Sequence, residues 1–218
     1  MSKGKLYLIP TTLGDSSMNY CLPEQIKDFI ELCDEFIVEN ERTARRFIKK
    51  IGANNDLDSL ILHELNKHSD SFEIPSYLKN IENGTNIGII SESGCPAIAD
   101  PGANIVAIAH DKNIQVVPLV GPSSIIMALM ASGFNGQNFA FNGYLPKNSA
   151  EKSKKIRQLE KFAAQLNQTQ LFIEAPFRNQ KLLVDILNTC LPGTKLCIAT
   201  EITTAAERIT TKTVLDWK

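Results

Sequence analysis

The chain has 218 residues, 43% of them hydrophobic and 22% charged, with a formal net charge of −1. This apolar content supports a sizeable folded core and excludes a disordered chain. The balanced charge excludes a global basic field but is compatible with a local basic patch. No stretch reaches the ~18 apolar residues of a membrane span, and the apolar run at 6–9 is too short for a signal peptide.

In chain order, residues 6–9 predict a first strand, stopped by Pro10. Residues 24–33 predict a helix opened by Pro23. A short strand is expected at 35–39, then a basic helix at 41–51 stopped by Gly52. Residues 60–63 read as a strand, and 75–82 as a helix closed by Asn83 and Gly84. A buried strand at 87–90, a helix at 103–112 and a strand at 115–120 complete the first half. The second half predicts a helix capped by Ser123 or Ser124 and stopped at Gly133, then strand 139–142 and a long polar helix at 150–166. Strand 170–173, helix 178–187 and strands 195–200 and 208–211 follow. This alternation predicts an α/β fold. Pro118, Gly121 and Pro122 punctuate the middle, so two α/β domains are expected, 1–120 and 121–218. The cysteines at 21, 33, 95, 190 and 197 are odd in number and lack a Cys-x-x-Cys spacing, which reads as reduced thiols in a cytosolic protein.

Two turn-rich loops sit where an open α/β sheet presents its ligand crevice, at the carboxyl ends of strands. The first, 91–102, contains Ser91, Glu92, Ser93, Gly94, Cys95, Ile98, Asp100 and Pro101. Its small residues let a backbone approach a ligand closely. Glu92 or Asp100 has the chemistry to take ribose hydroxyls or an amino group, and Asp100 is also placed as a helix N-cap. Cys95 has no cationic neighbour in sequence to activate it as a nucleophile. The second loop, Gly121-Pro122-Ser123-Ser124, offers either an anion site or a plain cap at a helix N-terminus. Neither G-x-G-x-x-G nor a P-loop is present. His63 and His68 are five apart, which rotates the second by roughly 140° around a helix and argues against zinc. Arg42, Arg45, Arg46 and Lys49 share a helix face, and Lys147, Lys152, Lys154, Lys155, Arg157 and Lys161 form a second basic stretch. Both stretches suit phosphate contacts or a solvated surface. Glu174 and Arg178 are spaced to pair or to orient a substrate.

Together these pieces resemble the tetrapyrrole-methylase-like (class III) S-adenosylmethionine-dependent methyltransferases, and within them the small-subunit ribosomal RNA 2′-O-methyltransferase branch. Pro10 to Asp15 stand where that branch has A-T-P-I-G-N. Glu39, Arg42, Arg45 and Arg46 match E-D-T-R-x-x-R-R, and His63, Glu64 and Asn66 match H-E-x-N. Ser91, Gly94, Pro96, Ile98, Asp100, Pro101 and Gly102 match S-D-A-G-T-P-x-I-S-D-P-G. Gly121, Pro122 and Ser123 match G-P-S, and Gly143, Leu145 and Pro146 match G-F-L-P. Glu174, Pro176 and Arg178 match E-S-P-H-R, and Ala199, Glu201 and Thr203 match A-R-E-L-T.

The resemblance implies two α/β domains with the cofactor cleft between them, a homodimer, a ribosomal RNA substrate and no metal. It places S-adenosylmethionine against Pro10, Ser91, Glu92, Ser93, Cys95, Ile98, Ser123, Ser124, Glu174 and Ala199. It offers Glu39, His63, Glu64 and Glu174 as candidate general bases, with Arg42, Arg45, Arg46 and Arg178 on the substrate. The chain departs from the branch at Asn40, Glu41, Thr43, Ala44, Glu92, Ser93, Cys95, Phe177 and Thr200. The branch also continues beyond the position of Trp217 and Lys218. A tetrapyrrole or other small-molecule acceptor, and a non-catalytic relative that binds cofactor or RNA, are the alternative expectations.

Overall fold

A computed structural model describes residues 3–66, 69–70 and 72–218. The chain divides into two compact units, Met1–Ser123 and Ser124–Lys218. Among the described residues no helix is long and apolar enough to cross a membrane.

The first unit is built on a parallel sheet of β1 (Lys5–Ile9), β2 (Glu35–Val38), β3 (Ile61–Glu64), β4 (Ile87–Ile90) and β5 (Gln115–Pro118), in the order β3-β2-β4-β1-β5. Two helices, α1 (Met18–Cys21) and α2 (Ile26–Glu31), link β1 to β2, and α3 (Glu41–Lys50) links β2 to β3. A 3₁₀ segment (Ile74–Asn83) precedes β4, and α4 (Gly102–Asp111) follows it. Alternation along each strand sorts the core into two layers. Tyr7, Ile9, Phe36, Val38 and Ile90 pack with residues of α2 and α3 on one face. Leu6, Ile37, Ile87 and Ile89 pack with the 3₁₀ segment and α4 on the other. At Gly88 a side chain has no room: a Cβ there would lie 2.7 Å from both Ile9 Cδ1 and Phe36 Cδ1.

The expected helix at 24–33 is shorter because Pro23 and Glu24 accept turn hydrogen bonds from Ile26 and Lys27 before the helix begins. The segment expected as a helix at 75–82 is 3₁₀, although Gly84 closes it in the left-handed region as anticipated (φ 97°). In α3, Asn40 accepts the Thr43 N–H at 3.1 Å as an N-cap.

The second unit contains α5 (Ser124–Ser132), a parallel pair β6 (Phe139–Tyr144) and β7 (Thr169–Ile173), and between them α6 (Ser149–Leu166). A 3₁₀ turn (Pro176–Arg178) leads into α7 (Asn179–Thr189). An antiparallel pair follows, β8 (Lys195–Thr200) and β9 (Arg208–Thr213), and then α8 (Val214–Trp217). Leu145, Ile156, Leu159, Leu182 and Ile186 form its core.

Candidate functional site

The loops leaving β1, β4 and β5 interlock at the carboxyl edge of the first sheet. Gly94 is their hub: its carbonyl accepts the Thr11 N–H (3.0 Å) and the buried Ser91 hydroxyl (2.7 Å). Gly94 takes φ +75°, and a Cβ there would meet Leu13 Cδ2 at 2.9 Å and the Pro122 carbonyl at 3.0 Å. Gly121 lies so close to Pro10 that a Cβ would meet the proline ring at 2.2 Å. Ser93 Oγ donates to the Leu13 carbonyl at 3.2 Å. Cys95 Sγ faces the Gly121 and Pro122 carbonyls at 3.5 and 3.4 Å, and burial pushes its thiol pKa up. That environment disfavours the thiolate a nucleophile requires.

Beyond Cys95 the backbone enters the left-handed region twice, at Ala97 (φ 66°) and Ala99 (φ 65°). That conformation costs a non-glycine residue about 1–2 kcal/mol. The Asp100 carboxylate holds the turn by accepting the Ala97 N–H at 2.9 Å and the Gly102 N–H at 2.7 Å. Asp100 thus caps α4 from one residue outside the cap position, which Pro101 occupies. Ile98, at the tip between the two strained alanines, is 49% exposed.

An acidic rim borders these loops. Glu39, just past β2, accepts the Glu92 N–H at 3.3 Å. Burial raises the Glu39 pKa; the Glu92 N–H opposes the rise, and the nearby charges of Asp100 and Glu92 add to it. Glu92 in turn accepts from the Thr43 hydroxyl, and Glu64 accepts the Glu41 N–H at 3.3 Å. His63 faces a different way. Its Nε2 lies 2.6 Å from Oε1 of the buried Glu35, whose Oε2 accepts from Asn80 Nδ2 at 3.0 Å. The imidazole stacks on Tyr77 at 4.8 Å. The structure therefore brings Glu39, Glu64 and Glu92 to α3 and the β4 loop, and ties His63 to the start of β2. His68 lies outside the described residues, and among those described no cluster of His, Cys, Asp and Glu is arranged to hold a metal ion.

The basic helix divides its charges. Arg45 donates to the Leu57 carbonyl, whereas Arg42 and Arg46 are exposed. The second basic stretch is divided too: Lys152, expected on a charged surface, is 4% exposed and bonds Asp185 of α7 at 3.0 Å. It falls on the stripe of α6 that also buries Ile156 and Leu159, because positions four and seven apart share a helix face.

Within the second unit, Ser124 opens α5, and Ala199 lies in β8 opposite Ile209. Glu174 follows β7, accepts the Ala175 N–H at 2.8 Å and pairs with Arg178. The Arg178 guanidinium lies 5.8 Å from the Tyr144 ring centroid and 5.7 Å from that of Phe177. Glu174 and Arg178 thus form the pair their spacing allows.

Residues 22–216 match the family model described as tetrapyrrole (corrin/porphyrin) methylases. The chain belongs to this family. Its relatives include the ribosomal RNA small subunit methyltransferase I of Bacillus subtilis, 33% identical over 98% of this chain and 70% of that protein. The protein of the same name from Vibrio cholerae is 28% identical over 94% of this chain and 67% of the relative. Among solved structures, the methyltransferase CobJ aligns with a TM-score of 0.65 at 16% identity, covering 98% of this chain and 87% of that one. The cobalt precorrin-4 methyltransferase CbiF aligns with a TM-score of 0.60 at 15% identity, covering 97% and 86%. The chain is thus a tetrapyrrole methylase family methyltransferase with the α/β fold its sequence predicts.

Two features of this methylase family member have no signal in the sequence. Glu35 reads as an ordinary strand residue, yet it is 2% exposed and anchors His63 and Asn80. Thr11 is 5% exposed and its hydroxyl has no hydrogen-bond partner among the described residues. Only tertiary packing reveals either.

Proposed function

We propose that this protein transfers a methyl group from S-adenosylmethionine to a ribose 2′-hydroxyl of small-subunit ribosomal RNA, in the cytoplasm and as a homodimer. The observation that carries the reading is the 33% identity, across 98% of the chain, to a ribosomal RNA small subunit methyltransferase I. The acidic rim supports it, because the partly exposed basic helix α3 begins beside Glu39. On this reading Pro10, Ser91, Glu92, Ser93, Cys95, Ile98 and Ser123 of the first unit hold the cofactor, with Ser124, Glu174 and Ala199 of the second.

The residues present fit such a molecule. Gly94 and Gly121 let the loops leaving β1, β4 and β5 close on one another, since a Cβ at either would strike Leu13, Pro122 or Pro10, and Ile98 offers an exposed apolar contact beside them. When bound, the cofactor supplies a methyl group on a positively charged sulfur, which leaves readily. Glu39 accepts the ribose hydroxyl proton, and its raised pKa suits it to that task. Arg42 and Arg46 hold phosphates, which positions the strand without reading its sequence. Ile126 and Met130, exposed on α5, supply apolar surface for a second copy to cover.

Incubating the protein with methyl-labelled S-adenosylmethionine and small ribosomal subunits from cells lacking this modification tests the reading. Label recovered as 2′-O-methylribonucleoside after nuclease digestion is the expected result. Label appearing on a tetrapyrrole and not on RNA would overturn it.

A further inference from the structure

Between the β1–α1 loop and α3 lies an open cleft of about 170 Å³, smaller than the ~300–1,000 Å³ of sites that enclose a whole small ligand and so suited to part of a larger one. Three features of its lining point to an occupant. First, Thr11 is buried there with an unpartnered hydroxyl, although its N–H is satisfied by Gly94. Buried hydroxyls are ordinarily hydrogen-bonded, so this one is available to a ligand. Second, Arg46 and Lys50 stand one turn apart on the α3 wall. Lys50 pairs only with the fully exposed Asp15, at 3.6 Å, and Arg46 has no ion pair among the described residues. Third, the one acid in the lining, Glu92, already accepts from the Thr43 hydroxyl. Arg46 therefore stands in the cleft as a cation without an acidic partner among the described residues, beside the apolar side chains of Met18 and Phe47.

We propose that this cleft holds one nucleotide unit of the RNA substrate: Arg46 and Lys50 on its phosphodiester, Thr11 donating its hydroxyl to the sugar–phosphate, and Met18 and Phe47 against the sugar. The assignment rests on the RNA reading above and goes beyond it by naming a pocket. Its position has a mechanistic consequence. Glu92 lines the cleft and donates its N–H to Glu39, so a nucleotide held here is the methylated one or its immediate neighbour. Two cations alone would suit any free anion. The combination with apolar walls and a hydroxyl donor suits a ligand that is anionic at one end and a sugar at the other.

The test uses the full chain and a fluorescein-labelled single-stranded oligocytidylate RNA, titrated by anisotropy across a salt series. Arg46→Gln/Lys50→Gln should bind it at least tenfold more weakly at low salt. The slope of log affinity against log salt should be shallower by about 0.7, the share of the one phosphodiester the two cations neutralise. Thr11→Val, which exchanges the unpartnered hydroxyl for a methyl of similar shape, should weaken RNA binding about threefold to tenfold while leaving Tm unchanged or higher. Lys79→Gln, a charge change outside the cleft, should leave the RNA affinity within twofold, and calorimetric S-adenosylmethionine affinity should be unchanged in all variants. An unchanged salt slope in Arg46→Gln/Lys50→Gln would overturn the assignment, as would loss of cofactor affinity in place of RNA affinity. If the wild type neither binds nor methylates ribosomal RNA, the proposed function itself fails. If the wild type methylates RNA and Arg46→Gln/Lys50→Gln does so equally well, only the cleft assignment fails.

Discussion

Glu39 has two properties that pull in opposite directions. Burial disfavours its charge, with help from the carboxylates of Asp100 and Glu92, while the Glu92 N–H favours it. A base with a raised pKa is more effective, and the same rise makes the ionised form a burden on the fold. Because its folded-state pKa exceeds the unfolded value of about 4.3, the wild type is stabilised by protonation at low pH. That stability is lost as pH rises through the raised value. Glu39→Gln cannot ionise. It should melt above the wild type at pH 7, and the gap should close as pH falls toward 4 in a thermal melt series. Its methyl-transfer rate should fall about 10²–10⁴-fold; a wild-type rate would remove Glu39 as the base. How much of this was legible varies by residue. Its position before a proline and a helix predicts Asp100 as the N-cap; the structure puts Pro101 at the cap position and leaves Asp100 one residue outside it, still accepting the Gly102 N–H. His63 was one of four equivalent candidate bases in the sequence, because its partner Glu35 lies 28 residues away and only strand register joins them. Thr11 gave no warning, since a threonine's lack of a partner is a property of its surroundings.

At the scale of elements, the signals that read correctly are local ones. Strands β4 and β8 have their expected limits, being apolar runs with turn residues on both sides. Helix α3 matches too, with a capping Asn40 and a terminal Gly52 at φ 74°. The four-residue helices α1 and α8 were missed, because one turn is too short to show a period and is held by tertiary contacts. Two substitutions test the packing that local signals do not show. Gly88→Ala places a methyl group against Ile9 and Phe36, both fully buried and with nowhere to retreat. Overpacking of this kind costs about 1–3 kcal/mol, to be read from the shift in urea midpoint of the first unit. Lys152→Ala removes the cation that bridges α6 to α7 and leaves Asp185, 20% exposed, without its partner. Breaking a fully buried pair costs about 3–5 kcal/mol; the solvent access of Asp185 brings the expectation to about 1–3 kcal/mol. Arg157→Ala, on an exposed position of the same helix, should change the midpoint by no more than about 0.5 kcal/mol.

The whole molecule contains units of unequal construction. The first has a five-stranded sheet with an apolar layer on each face. The second has two separate two-stranded sheets and a single cluster around Leu145, Ile156, Leu159, Leu182 and Ile186. Two-stranded sheets depend on what packs against them for stability, so the second unit should open first. The protein carries its own reporter for this. Trp217 is the sole tryptophan and belongs to the second unit. Its indole N–H donates to the Leu196 carbonyl at 3.0 Å, and Lys212 lies 5.2 Å from its ring centroid. Its fluorescence therefore follows the β8–β9 pair and α8, whereas far-ultraviolet circular dichroism follows both units. In urea the fluorescence midpoint should precede the main dichroism transition. Hydrogen exchange at intermediate urea should find β1 and β4 still protected. Coincident midpoints would mean that the two units unfold as one cooperative body despite their separate cores.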